Sequence, residues 1–208
     1  MVSIDKAKEA LRPFFFAPSK PRYIRQIAKE SELSYERVRH YLAELEKIRA
    51  VEGKAKGKIK EYSLNRGHEF ILKIFSVLEM ERRQRFFSGN PKLGVWLQGI
   101  MKEAGNAGLH YSILFGSAAR GEAKPGSDID LLFVLKAKEG GFEKHLSGIS
   151  KRMEAISGLH FSMHVVSLEE LKSRWKKEPF YASMWLDHIV LYGDEEFWRD
   201  VLEMGEPQ

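Results

Sequence analysis

The chain has 208 residues, 43% of them hydrophobic, enough for one large or two small domains, and no apolar run approaches the roughly 20 residues of a membrane span. It contains no cysteine, which excludes disulfides, thiolate catalysis and cysteine zinc sites. The net charge of +5 is uneven: residues 1–66 hold 16 Lys and Arg against 9 Asp and Glu, net +7, whereas residues 67–208 hold 18 against 20, net −2. Such a split suggests a polyanion-binding module joined to a domain with another job, the alternative being solvated surface charge.

The start, with Asp5 and Glu9, lacks the apolar core of a signal peptide, so a cytoplasmic protein with no membrane partner is expected. Ile4, Ala7, Leu11 and Phe14 recur at helical steps and predict a helix over 3–16, broken by Pro18 and Pro21. A short helix over 22–30 places Ile24 and Ile27 inside. Ser34 is a good N-cap for the next helix, whose apolar face is Val38, Tyr41, Leu42, Leu45 and Ile48 and whose other face presents Tyr35, Arg37, Arg39 and His40. Two short runs around the Gly/Lys-rich 53–58 then predict a β-hairpin with lysines at its tip.

This order of helices and hairpin looks like a winged helix-turn-helix domain, the type found in many prokaryotic transcription regulators, here over residues 1–65. The resemblance implies that the helix after Ser34 enters the major groove of double-stranded DNA while the hairpin touches the backbone. Tyr35, Arg37, Arg39 and His40 are then the candidates for base contact, and Lys54, Lys56, Lys58 and Lys60 for phosphate contact. Winged helices also serve as protein-docking or dimerisation modules, and that reading stays open.

Phe70, Ile71, Ile74, Phe75 and Leu78 predict a long connecting helix from Arg66 to Arg85, closed by Ser88-Gly-Asn-Pro91, so that 66–90 joins the first domain to a second over 91–208. The aromatic stripe is suited to packing within the chain or against a second copy, and a homodimer is expected. A helix over 92–104 and a strand over 109–115 follow, and the strand runs into Gly116-Ser117, a tight strand-to-helix turn whose outward N–H groups form an anion site.

Ser127-Asp128-Ile129-Asp130 opens the next strand, which continues through Leu131–Leu135. Alternation puts Asp128 and Asp130 on one face about 7 Å apart. Two carboxylates so placed repel unless a cation lies between them, and an all-oxygen donor set suits Mg²⁺. Capping of a turn would explain Asp128 alone, but an unpaired Asp130 inside an apolar strand is costly.

The run from Phe115 to Leu135 resembles the signature of the DNA polymerase β-like nucleotidyltransferase superfamily, especially its minimal nucleotidyltransferases, and the resemblance covers about residues 91–200. It implies an α+β fold with a mixed sheet flanked by helices, and Mg²⁺-dependent transfer of a nucleoside monophosphate from an NTP to a hydroxyl. Gly116 and Ser117 match the family's triphosphate-binding pair, Ser127 the residue before its metal carboxylates, and Asp128 and Asp130 those catalytic, metal-binding aspartates. Arg120 fits the pattern either as a phosphate ligand or as a brace for the turn.

A helix over 141–157 and a strand over 159–166 come next. The position matching the family's third carboxylate on this strand is His164, which cannot copy a negative oxygen ligand. His160 and His164 share a strand face, but four residues span about 13 Å, too far to chelate one ion together. Helices over 168–177 and 179–186, a strand over 188–192 and a last helix from Asp194 to Leu202 complete the chain, with Trp175, Trp185 and Trp198 assigned to the core. The alternative to an active nucleotidyltransferase is a transcription regulator whose inactive catalytic fold senses nucleotide or plays a structural role.

Overall fold

The computed structural model describes residues 4–57, 59–105, 108–124, 126–137 and 140–207. The described residues divide into two compact units, one running from Ile4 to Leu78 together with Trp198–Glu206, the other Glu79–Phe197 with Pro207.

In the first unit α1 (Ile4–Leu11) runs into a 3-10 turn over Arg12–Phe14. The short β1 (Arg22–Tyr23) leads into α2 (Ile24–Ser31), and α3 (Tyr35–Lys47) starts at Ser34, whose hydroxyl accepts a hydrogen bond from the Arg37 N–H. β2 (Val51–Lys56) and β3 (Ile59–Leu64) form the expected hairpin, and β1 adds to it antiparallel, giving the order β1-β3-β2. Ala7, Leu11 and Phe14 meet Ile27, Val38, Leu42 and Leu45 in the core, but Ile4 and Ile48 are exposed. Ile4 opens the first turn of α1, and Ile48 is the C-cap residue of α3, so the helical period that placed them inside no longer applies at a helix end.

α4 (Glu69–Gly89) carries Ile71, Ile74, Phe75 and Leu78 into buried positions, so the apolar stripe is covered within the chain. Phe75 packs edge-on against Trp198 at a centroid separation of 4.9 Å, and Phe15 lies 4.5 Å from the same indole. Trp198 belongs to α10 (Asp194–Met204), so residues from the far end of the described chain complete a core that begins with Ala7.

The second unit is a four-stranded mixed sheet, order β6-β5-β4-β7, flanked by helices. β4 (Leu109–Phe115) pairs antiparallel with β5 (Ile129–Leu135) and with β7 (Ile189–Tyr192), while β6 (Phe161–Ser167) runs parallel to β5 at the edge. A parallel neighbour needs a crossover, here supplied by α7 (Phe142–Ser157). α5 (Pro91–Ala104) and α7 cover the face that carries Ile129, Leu131, Phe133 and Leu135. The remaining helices are α6 (Gly116–Arg120), α8 (Leu168–Arg174), which starts in a Ser167/Glu170 capping box, and α9 (Pro179–Asp187). All three expected core tryptophans, Trp175, Trp185 and Trp198, are buried. No helix among the described residues is long and apolar enough to cross a membrane.

Candidate active site

The helix expected from Ala118 begins at Gly116, directly at the end of β4. Gly116 sits at φ +73°, where a side chain is strained, and a Cβ there would lie 2.5 Å from Asp130 Oδ2. Phe115 is the antiparallel register partner of Asp130, so the sheet sets this close approach. The Gly116-Ser117 turn and the carboxylate therefore share one spot, and Gly116 is the residue that lets them do so. The first N–H groups of a helix have no partner inside it, so the N–H groups of this turn are available to a ligand.

Asp130 is half-buried and its carboxyl is held above the usual carboxylate range. Burial is the main cause and the charge of Asp128 the second, opposed by His164 and by a hydrogen bond from Ser162. Asp128 lies one residue ahead of β5, and more than half of its side chain is exposed, at 55%. Its Oδ1 is 3.0 Å from Nδ1 of His160, and Nε2 of the same ring is 3.8 Å from Glu154 Oε1. Glu154 is fixed in turn by the Phe161 N–H at 3.3 Å and the Ser150 hydroxyl at 3.0 Å. Of the two strand histidines it is thus His160 that touches an aspartate, a contact the sequence spacing did not disclose. The signal lay in the parallel register, which sets Ile129 beside Phe161 and so brings the residues before each strand together.

His164 lies beside Leu132 in the register, exposed, with Nε2 3.2 Å from the Ser162 hydroxyl. Its ring is 6.0 Å from Phe115 and 6.2 Å from Phe180. The Ser127 hydroxyl accepts the Lys124 N–H at 3.0 Å and closes the turn before Asp128. Arg120 donates from Nε to Glu122 at 2.7 Å and from a terminal nitrogen to Asp187, and both carboxylates hold its guanidinium charged, the Glu122 bond contributing most. Two carboxylate partners give Arg120 a bracing role between the turn and α9.

The donor set is consistent with a hard cation. Asp128 raises the carboxyl of Asp130 through like-charge repulsion, which a divalent ion between them would relieve, leaving its other positions to phosphate oxygens and water. Among the described residues no group of three or more His, Asp or Glu side chains forms a metal cluster.

A second polar group in this unit went unnoticed in the sequence. Glu79 on α4 and His188 before β7 are both wholly buried. Glu79 Oε1 accepts the Val190 N–H at 3.0 Å, and its Oε2 is 3.7 Å from His188 Nε2, while His188 Nδ1 donates to the Trp185 carbonyl at 2.7 Å. Arg83 binds Asp194 and the Val190 carbonyl. The available signal was a lone acid, Glu79, inside the apolar run of α4.

Residues 100–192 match the family of nucleotidyltransferase domains. The matched segment runs from α5 to the end of β7 and contains Gly116, Ser117, Asp128, Asp130 and His164. No curated protein and no solved structure matches this chain. The mixed sheet flanked by helices is the fold that a nucleotidyltransferase domain calls for.

The described residues among those expected at a DNA interface lie in the first unit. Tyr35, Arg37, Arg39 and His40 are exposed on α3, with Arg39 paired to Glu36 at 2.7 Å. Lys54 and Lys56 are exposed on the hairpin, and Lys56 is 3.8 Å from Glu61. Lys60 is engaged by both oxygens of Glu46, whose hydrogen bond holds its ammonium above the usual range. Lys58 lies outside the described residues.

Proposed function

We propose that this protein is a Mg²⁺-dependent nucleotidyltransferase that moves a nucleoside monophosphate from an NTP to a hydroxyl acceptor, joined to a winged helix-turn-helix that binds double-stranded DNA. The observation that carries the enzymatic part is the meeting of the Gly116 turn with Asp130, 2.5 Å from where a Cβ would stand, inside the segment that matches nucleotidyltransferase domains. Mg²⁺ bound by Asp128 and Asp130 would neutralise phosphate charge and favour the ionised acceptor.

The chain's own groups do the rest. N–H groups of Gly116 and Ser117 take phosphate oxygens at the helix start. Ser162 holds Asp130 by a hydrogen bond, and His160 holds the more exposed Asp128. Arg120, braced by Glu122 and Asp187, fixes the far end of α6 so that the turn keeps its shape.

The test is incubation with each α-labelled NTP and Mg²⁺ beside an Asp128→Ala/Asp130→Ala control. Transfer of label that depends on both aspartates is the expected result, and absence of both transfer and NTP binding sinks it. A specific observation favours a second reading, a transcription regulator with an inactive catalytic fold: His164, at the family's third-carboxylate position, is turned to Ser162 and lies beside two aromatic rings. NTP binding without transfer would select that reading. The DNA part rests on the basic helix and hairpin of the first unit and is tested separately by salt-dependent duplex binding.

A further inference from the structure

Helix α7 reaches past the sheet that it covers. Its inner face, Phe142, Leu146, Ile149 and Met153, packs into the core, while Ser147, Ser150 and Glu154 stand beside β6, the edge strand. Between helix and strand lies a groove of about 530 Å³ whose strand side includes Met163 and Val165.

In a parallel pair, alternate residues turn both main-chain groups toward the neighbour. The Ile129 N–H donates to the His160 carbonyl at 2.9 Å, so His160, Ser162 and His164 face β5. Phe161, Met163 and Val165 consequently present their N–H and C=O groups to the groove. At Phe161 side chains of α7 take the place of a missing strand: Glu154 accepts the N–H at 3.3 Å, and the Ser150 hydroxyl shares its one hydrogen between Glu154 at 3.0 Å and the Phe161 carbonyl at 3.3 Å. Among the described residues no such substitute meets Met163 or Val165. The sheet is one strand short beneath α7.

We propose that this groove docks an extended polypeptide as a fifth strand, and that the docked segment is the acceptor, its serine, threonine or tyrosine hydroxyl receiving the nucleotide. The acceptor half rests on the nucleotidyltransferase reading. Unpaired donors and acceptors repeating every second residue, about 7 Å apart, are the complement of another main chain. Met163 and Val165 are half-buried against the core and offer an apolar floor to alternate side chains. The helix wall carries Glu143 and Glu154 against a single cation, Lys151, a net negative charge that disfavours a polyphosphate chain. The groove also includes His160, which is 3.0 Å from Asp128, so one end of a docked strand comes up to the reactive carboxylates.

In the transfer, the acceptor oxygen bonds to the α-phosphorus as the bond from that phosphorus to the α–β bridging oxygen breaks. Pyrophosphate leaves with the electron pair, and the hydroxyl proton passes to solvent.

The test uses the intact protein and a library of fluorescein-labelled ten-residue peptides, alternating Val and Thr around one Ser or Tyr, read by anisotropy. At least one peptide should bind, and Val165→Pro, which removes an outward N–H while His164 and Val166 keep their bonds to β5, should weaken it at least tenfold while the variant still unfolds in a cooperative thermal transition. N-methylation of alternate peptide amides should do the same to the unaltered protein, which covers the case in which the proline variant misfolds. Binding by no peptide, or binding indifferent to both changes, overturns the proposal. So does sedimentation showing a dimer that Val165→Pro splits, because a second copy would then occupy the edge. Label from an α-labelled NTP should pass to the bound peptide, and Asp130→Ala should stop this without changing anisotropy. Label reaching some other acceptor while bound peptide stays unlabelled overturns the acceptor half alone; no label on any acceptor, with peptide still bound, sinks the transferase reading and the acceptor half with it, and leaves the docking intact.

Discussion

At φ +73° with Asp130 Oδ2 2.5 Å from its missing Cβ, Gly116 has no room for a methyl group. Gly116→Ala is expected to lower stability by about 1–3 kcal/mol and to reduce NTP affinity at least tenfold, checked by thermal denaturation and by nucleotide titration. Glu79 poses a different problem. Its wholly buried carboxyl is pushed up to about 7, chiefly by burial and against the pull of Arg82. Its charge therefore costs stability increasingly as pH climbs from 4.5 toward 7. His188, pushed down to about 3 by burial, acts in the opposite sense: its stabilising neutral form is fully present above 6.5 and is lost as pH falls toward 3. Glu79→Gln retains an acceptor for the Val190 N–H and removes only the first effect. It should melt at a higher temperature than the natural protein at pH 8, by an amount on the order of 1–3 kcal/mol, and with no difference at pH 4.

At the scale of elements, regular periodicity and turn chemistry were readable, and contacts across strands were not. The apolar run 131–135, the Gly116-Ser117 turn, the Gly/Lys hairpin and Ser88-Gly-Asn-Pro91 each point to one local structure, and β5, the start of α6, the hairpin and the end of α4 follow from them. The contact between Asp128 and His160 depends on the parallel register of β5 and β6, which no spacing within one strand encodes. Lys60 looked like its hairpin neighbours in sequence, yet folding sets it against Glu46, fourteen residues earlier on another element. That difference makes the hairpin prediction specific. Reversing Lys54 and Lys56 to Glu should weaken duplex binding and reduce the slope of log affinity against log salt by about 2, whereas Lys60→Gln should leave the slope nearly unchanged, both read from salt titrations. At the start of α8, Ser167→Ala breaks a capping box and should cost about 1 kcal/mol, measured by chemical denaturation.

For the molecule as a whole, charge asymmetry pointed to two modules, while the contacts divide the chain differently from its linear order. The helix break before Pro91 falls inside the second unit, and the first unit recruits Trp198, Val201 and Leu202. A single sequence shows no pairing between Phe15, Phe75 and Trp198, because nothing in their spacing links positions so far apart. Trp198→Ala should cost about 3–5 kcal/mol and lower the melting temperature of the first unit, followed by hydrogen exchange at Phe14 and Leu42. The same recruitment sets a timetable for synthesis. The basic helices and hairpin leave the ribosome first, yet their core stays open until translation has passed Leu202, after the whole mixed sheet has been made. A ribosome stalled before that point would display a helix-and-hairpin module lacking part of its core, exposed to proteolysis and unable to hold α3 firmly. The first unit is therefore the part of the chain that is completed last, only once the mixed sheet has already been made.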